Sequence, residues 1–255
     1  MNPSLSQRNF LLAAAFVMPL TFSVWQALLN NFVVERAAFT GAEIGMLQSL
    51  REVPGFLAFT AVFVLLVIRE QRFALASLLV MSIGVALTPF FPTVYGLYAT
   101  TVVMSLGFHY FETINKSLTL QWIDKRETAH FMGRALAVKA AGALLAYGSI
   151  WALMELAGWD FQGLYLLAGG AGLVITLLLW SAFPHFPEVA IQRKTLVLRK
   201  RYWLYYALTF LGGARRQIFM VFAGFMMVEK FGYSAADISL LYLANYVFNL
   251  LFAAE

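Results

Sequence analysis

Seven apolar runs, each long enough to cross a lipid bilayer as a helix, dominate this 255-residue sequence. A helix rises about 1.5 Å per residue, so roughly 20 apolar residues cross a hydrocarbon layer of about 30 Å. The runs cover residues 10–34, 44–68, 73–91, 94–122, 135–156, 164–183 and 202–228, and an eighth begins near Ile238 and continues to Glu255. Their length and the lack of two-residue alternation exclude barrel strands. The sequence therefore predicts an all-α integral membrane protein.

The composition supports a bilayer as the solvent of this chain. Apolar and aromatic residues make up 61% of the sequence and charged residues 12%, which is too little charge to cover a water-facing surface. The chain has no cysteine, which excludes disulfides, thiolate metal sites and a cysteine nucleophile. We find no nucleophile–base spacing, metal-ligand cluster or phosphate-binding loop, so we expect no enzyme activity, no metal and no cofactor.

The basic residues of the loops predict the orientation of the chain. With the N-terminus in the cytoplasm, the inner segments carry eleven basic residues: Arg8, Arg69, Arg72, Lys125, Arg126, Arg134, Arg193, Lys194, Arg199, Lys200 and Arg201. The outer loops carry only Arg36 and Lys230. The positive-inside rule therefore places the N-terminus in the cytoplasm of a multi-pass cell-membrane protein. This placement also explains the excess of basic residues without a nucleic-acid partner.

An internal repeat relates the exits of the first and seventh runs. At a constant offset of 194 residues, segment 35–47 matches segment 229–241 with four identities. The identical residues are Glu35, Ala42, Ile44 and Leu47, and five further positions are conservative pairs. Both segments connect an odd-numbered run to the next run on the same side of the membrane, so the match falls at equivalent points of two units.

The repeat, the long basic loop after the sixth run, and residues 118–128 followed by Phe131-Met-Gly-Arg134 resemble the major facilitator superfamily. This resemblance implies a six-helix N-terminal bundle over residues 1–183, a basic cytoplasmic linker over 184–201, and the start of a C-terminal bundle over 202–255. The family plan of twelve helices implies that the chain is the N-terminal two-thirds of a transporter, with only the first one to two helices of the second bundle. It also implies a monomer when full length.

Charged residues inside the runs are candidate functional groups, because each costs about 2.5–3.5 kcal/mol at a span centre. His109, Glu112 and Lys116 share one face of the fourth run, and Lys139 lies at a similar depth in the fifth. A carboxylate that exchanges a lysine partner for a proton is suited to proton coupling, so Glu112, Lys116 and His109 are predicted to couple protons. Lys139 is predicted to bind solute. The alternative is a static ion-pair cluster that holds two helices in register.

Two further groups of polar residues are predicted to bind solute. Arg215 and Arg216 lie in the middle of the seventh run, after a glycine pair, and arginine can bind a carboxylate or phosphate through two hydrogen bonds. Gln26 and Asn30 share a face in the outer half of the first run. The alternatives are that an arginine pairs with an acidic residue elsewhere and that the amides only bond across helices.

The second run carries a predicted gate. Arg51 and Glu52 precede Pro54, and proline removes a helical hydrogen bond and kinks the helix. Charges beside such a kink favour a gating hinge. A static contact between helices is the alternative.

These features together predict a secondary active transporter of a small anionic or zwitterionic organic solute, coupled to protons and embedded in the lipid bilayer. The excess of basic over acidic residues within the runs favours an anionic group on the solute. One alternative is an exporter of amphipathic drug-like compounds. The resemblance disfavours it, because drug antiporters of the superfamily often carry a Gly-Pro pair in the fifth helix and the fifth run has none. The other is a non-transporting membrane sensor or scaffold, which the buried charges disfavour.

Overall fold

A computed structural model of the chain describes residues 6–187 and 199–252, apart from the side chains of residues 210, 213–220 and 249–252. Within these ranges the chain forms α-helices joined by short connections, with no β-strand. The helices are α1 (Gln7–Ala37), α2 (Gly41–Phe56), α3 (Ala61–Val64), α4 (Glu70–Leu87), α5 (Val94–Trp122), α6 (Thr128–Glu155), α7 (Phe161–Ala182), α8 (Trp203–Glu229) and α9 (Ala235–Phe252). The central part of the predicted linker, residues 188–198, lies outside the described residues.

The second apolar run does not form a single α-helix. Helix α2 ends at Phe56, two residues after Pro54, and the chain continues as a 3-10 helix over Leu57–Thr60 before the short α3. Proline cannot donate a backbone hydrogen bond, and its ring crowds the preceding turn. A change of helix type follows the proline, so the backbone is irregular at the predicted hinge.

Four of the described helices are long and apolar enough to cross a membrane by length and composition. They span Gln7–Ala37, Glu70–Phe90, Thr128–Glu155 and Phe161–Ala182, where the second of these includes the 3-10 turn after α4. Helix α5 has a sufficient length of 29 residues but carries His109, Glu112 and Lys116. Polar residues of this kind lower the hydropathy of a span and mark the interior of a bundle rather than its lipid face.

Helix α1 is the centre of the bundle. It contacts α4, α5, α6, α7, α8 and α9, and side chains along its length, from Phe10 to Val33, are buried. Trp25 is fully buried at its middle. A helix that is surrounded by other helices needs no lipid-facing surface. Side chains that α1 directs towards α5, α8 and α9 therefore face the interior of the protein.

Helices α4 and α5 approach each other closely because each has a glycine at the crossing. A Cβ atom on Gly84 would overlap the backbone of Met104, and one on Gly107 would overlap the backbone of Met81. Small residues permit such backbone contact between membrane helices, where van der Waals packing replaces the hydrophobic effect. This contact fixes α5, which carries His109, Glu112 and Lys116.

The repeat found in the sequence has the same backbone geometry in both copies. Ala38 and Gly232, which are 194 residues apart, both adopt positive φ angles, of 51° and 68°. The next backbone amides close equivalent turns: that of Phe39 donates to the carbonyl of Val33, and that of Tyr233 donates to Met227, each at 3.1 Å. Helices α1 and α8 thus end in the same way.

The following helices also begin in the same way in both copies. The Thr40 amide donates to the Glu43 carboxylate, and the Ser234 amide donates to the Asp237 carboxylate, each at 2.9 Å. These are capping boxes, in which a residue three positions into the helix accepts from the cap residue. The hydrogen bonds from the side chain and backbone of Thr40 lower the pKa of Glu43, and those from Ser234 lower the pKa of Asp237.

The first residues of the predicted linker are held against the bundle by Gln71, at the start of α4. The Gln71 Nε2 atom donates to the Pro184 carbonyl at 3.0 Å, and the Phe186 amide donates to Gln71 Oε1 at 2.9 Å. The buried ring of Phe186 packs edge-on against Phe10 and Trp122. The chain after α7 is therefore attached to the same end of the bundle as the start of α1.

Candidate solute cavity and charge cluster

A cavity of about 300 Å³ lies between α1, α2, α5, α8 and α9. We call it the central cavity. Its lining comprises Phe22, Trp25, Gln26, Leu29, Asn30, Gln48, Arg51, Glu52, Phe108, His109, Val221 and Tyr242. Its volume is at the lower end of the range of small-molecule binding sites, so it fits a small solute. Helices of both repeat units contribute to it.

Five of the residues that the sequence singled out meet in this cavity: Gln26, Asn30, Arg51, Glu52 and His109. The sequence placed them on three different helices and assigned them three different roles. The structure therefore brings the predicted amide ligands, the predicted gate and one predicted proton-coupling residue to a single place. Their individual roles remain predictions.

The charged residues of the central cavity form a neighbouring pair on α2. Arg51 Nη2 lies 2.7 Å from Glu52 Oε1. The Arg51 side chain is 12% exposed and that of Glu52 is 42% exposed, so the cation is the more enclosed of the two. The cavity therefore presents one positive and one negative group side by side, an arrangement that can bind an anionic group, a cationic group or both.

The kinked region of α2 packs directly on His109. Gly55 follows Pro54, and a Cβ atom on Gly55 would lie 2.7 Å from His109 Cε1. In addition, the Ser105 hydroxyl of α5 donates to the Arg51 carbonyl. These contacts join α2 and α5 around the proline, so the predicted hinge is in direct contact with the imidazole that lines the cavity.

Aromatic side chains, which the sequence analysis assigned no role, form much of the remaining wall. Phe22 stacks on Phe108 with ring centroids 4.4 Å apart, and it also stacks on Trp25 at 5.8 Å. On the α9 side, Tyr242 is hydrogen bonded to Gln26 and stacks on Tyr147 at 5.2 Å. Nothing in the sequence distinguishes these rings among 24 phenylalanines and 11 tyrosines.

Two polar atoms of the wall have no hydrogen-bond partner among the described residues. They are Trp25 Nε1, a donor, and Gln48 Oε1, an acceptor, and both atoms are buried. A buried polar atom without a partner costs free energy. Gln48 was not predicted as a site residue, although its position four residues after Ile44 places it on the buried face of α2.

Glu112 joins the two lysines that the sequence placed near it. Its Oε1 atom lies 2.6 Å from Lys139 Nζ on α6, and its Oε2 atom lies 3.5 Å from Lys116 Nζ, one turn further along α5. The side chains of Glu112 and Lys139 are 20% and 25% exposed, whereas that of Lys116 is 69% exposed. The carboxylate thus has one close, partly enclosed partner and one looser, solvated partner.

A second cavity, of about 490 Å³, lies beyond this cluster between α5 and α6. Its lining includes Lys116 and Lys139 together with Asn115, Thr119, Leu120, Met132, Gly133, Ala135 and Leu136. His109, by contrast, lines the central cavity. The three residues that the sequence placed on one face of α5 are therefore divided: His109 faces one cavity, Lys116 faces the other, and Glu112 lies between them along the helix.

Arg215 and Arg216 lie within α8, but their side chains are outside the description. The same helix contributes Val221 to the central cavity, about one and a half turns further on. In the described part of the chain, no three acidic, histidine or cysteine side chains form a group that could hold a metal ion.

No protein-family model matches the chain, and no curated protein matches it significantly. Among solved structures, the chain is similar to the POT family transporter PepTSo, known from an in meso crystal structure. The TM-score is 0.54 at 15% identity, and the match covers 94% of this chain and 52% of that one. POT transporters are members of the major facilitator superfamily by fold. The chain has a major facilitator fold.

This similarity confirms the predicted fold class, an all-α membrane bundle of the major facilitator type. The chain spans about half the length of the transporter that it matches. The helices that meet at the central cavity thus belong to a fold built from two related bundles, and the matching helix ends at the 194-residue offset are consistent with that plan.

Proposed function

We propose that the protein is a proton-coupled secondary transporter of a small anionic or zwitterionic organic solute. Glu112, which lies between two lysines on two helices and between two cavities, carries this proposal. A proton on Glu112 removes the charge that holds Lys139, so protonation and the release of a cation are linked. A solved structure with the same fold is a transporter, which supports a transport role for Glu112.

The solute is proposed to bind in the central cavity. A carboxylate of the solute would bind the enclosed guanidinium of Arg51, and the amides of Gln26 and Asn30 would hydrogen bond to other polar groups of the solute. The stacked rings of Phe22 and Phe108 would contact its apolar part. Arg215 and Arg216 are proposed as further anion ligands on α8. Lys139, which lines the second cavity, is proposed to bind an anionic group there once protonation of Glu112 releases it.

The proposed arrangement in the membrane follows the loop charges. In this proposal the N-terminus lies on the cytoplasmic side of the cell membrane. Residues 1–183 form the first bundle, residues 184–201 form a cytoplasmic linker, and residues 202–255 begin the second bundle. The gate is proposed at Arg51, Glu52 and Pro54, where α2 changes helix type and contacts His109.

The test compares two transport modes in proteoliposomes of uniform orientation. Exchange of labelled for unlabelled solute needs only binding and reorientation, whereas accumulation against a gradient also needs a coupled proton. We expect Glu112→Gln to retain exchange and to lose accumulation driven by a pH gradient. Glu155→Gln, an exposed glutamate at the end of α6, is the control and should retain both. Accumulation by Glu112→Gln at the wild-type level would refute the coupling role.

A further inference from the structure

One hydrogen bond joins the first helix to the connection that follows α8. Asn31 of α1 is 1% exposed, and its Nδ2 atom donates to the backbone carbonyl of Tyr233 at 2.7 Å. The carbonyl belongs to the loop between α8 and α9, on the side of the bundle where the repeat-related connection between α1 and α2 also lies. We call this the α1–α2 side.

The neighbouring residue brings α1 against α8 at the same level. A Cβ atom on Gly224 would lie 2.9 Å from Asn30 Nδ2, so the absence of a side chain at Gly224 permits this contact. Asn30 and Val221 both line the central cavity. The contacts of Asn30 and Asn31 therefore form the end of the cavity on the α1–α2 side, between helices of different repeat units.

The equivalent position of the second repeat unit carries no amide. At the repeat offset of 194 residues, the position equivalent to Asn31 is occupied by Phe225, which is apolar and also buried. An asparagine in such a position must lose its water, and Asn31 Oδ1 has no hydrogen-bond partner among the described residues. The closed contact is therefore satisfied on the donor side and unsatisfied on the acceptor side.

We propose that Asn31 is a positioning residue that closes the central cavity on the α1–α2 side through its hydrogen bond to the Tyr233 carbonyl, and that this bond breaks when the cavity opens to that side. Opening hydrates the amide and gives Oδ1 the partners that it lacks in the closed form. The contact thus combines one favourable hydrogen bond with one buried acceptor that lacks a partner among the described residues, which keeps closure reversible instead of permanent.

The closing role of Asn31 does not depend on the proposed transport function; only the purpose of the opening, the passage of solute, rests on that function. Accessibility of the cavity can be measured without any solute, because the chain contains no cysteine and a single reporter can be introduced. Val221→Cys places a thiol of similar size in the cavity wall. Its reaction with a membrane-impermeant thiosulfonate is measured from each side of oriented proteoliposomes. Failure of transport and failure of closure are thus observed separately.

Asn31→Asp is the main variant, because its ionised carboxylate has no donor and sets an oxygen against the carbonyl. We expect labelling from the α1–α2 side to rise at least about fivefold, since a buried hydrogen bond is replaced by a repulsive contact, and labelling from the opposite side to fall. Asn31→Ser, whose side chain is too short to reach the carbonyl, should change both rates in the same directions by less. It provides the measurement if the aspartate variant does not fold.

Asn9→Asp makes the same chemical change at an exposed position of the same helix and should leave both rates unchanged. Unchanged rates in both Asn31 variants would overturn the proposal. Equal increases from the two sides would overturn it as well, because they would indicate a loosened bundle and not the opening of one side.

Discussion

The two lysines beside Glu112 should contribute very different interaction energies. A charge-assisted hydrogen bond of 2.6 Å between Glu112 and Lys139, with both side chains at most one-quarter exposed, should contribute about 1.5–3 kcal/mol. The contact of Glu112 with Lys116 is longer, at 3.5 Å, and Lys116 is 69% exposed. Pairs of this kind within a helix contribute about 0.3–0.5 kcal/mol. The difference between the two couplings should therefore exceed about 1 kcal/mol.

Two double-mutant cycles measure these couplings. Each combines Glu112→Gln with a methionine at one of the two lysines, Lys139→Met or Lys116→Met, and the free energy of unfolding is measured by titration with dodecyl sulfate in mixed micelles. The second cycle is the control for the first, because it removes the same charge from the neighbouring helical turn. A coupling for Lys116 equal to or larger than that for Lys139 would refute the geometry of the cluster. Couplings near zero for both would refute the ion pair itself.

Two further predictions concern α2. Gly55→Ala should force the ring of His109 out of its position, destabilise the protein by about 1–3 kcal/mol through overpacking and weaken solute binding, as measured by unfolding and by binding assays. The control is Gly45→Ala, also on α2, whose added Cβ would make only an ordinary van der Waals contact and should leave stability and binding unchanged. Equal behaviour of the two variants would contradict the contact between Gly55 and His109. Thr40→Ala should raise the pKa of Glu43 towards its ordinary value of 4.5, because the substitution removes the side-chain hydrogen bond that lowers this pKa. The variant should therefore lose less stability than the wild type when the pH falls through the lowered pKa. Carboxyl NMR titration measures the shift, and an unchanged pKa of Glu43 would contradict the role of this hydrogen bond.

Much of the architecture could be predicted because bilayer physics restricts the sequence so strongly. A run such as residues 164–183 has no other stable form in a hydrocarbon layer than a helix, and α7 forms there. The repeat could also be predicted, because capping depends on residue types at fixed spacing. Thr40 with Glu43 and Ser234 with Asp237 satisfy the same backbone amides in the two copies.

The contact between Glu112 and Lys139 could be predicted for a related reason. The rise of a helix converts distance from the span end into depth, so two charges at equal depth on consecutive antiparallel helices are expected to meet. The division of the charged face of α5 was not predictable in this way. Whether His109 and Lys116 face one cavity or two depends on where α2 and α6 pack against α5, and this is set by contacts between helices.

The remaining features depend on tertiary contacts that leave no local pattern. The stacked pair of Phe22 and Phe108 resembles any other pair of apolar residues in a span. The bond from Asn31 ends on the carbonyl of Tyr233, and every residue has such a group. The sequence indicates a polar outer half of α1, but only the packed bundle determines which amide faces the cavity and which binds the second unit.

The central claim, proton-driven transport of a small charged solute, is tested most directly by uptake into proteoliposomes with an imposed pH gradient. A panel of small organic anions and zwitterions is offered to the reconstituted protein, with protein-free vesicles as the control. We predict that at least one solute accumulates only when protein is present and that a protonophore abolishes the accumulation. If none accumulates, or if accumulation persists when the gradient is dissipated, proton-coupled transport is contradicted, and the charges around Glu112 serve only to hold the helices together.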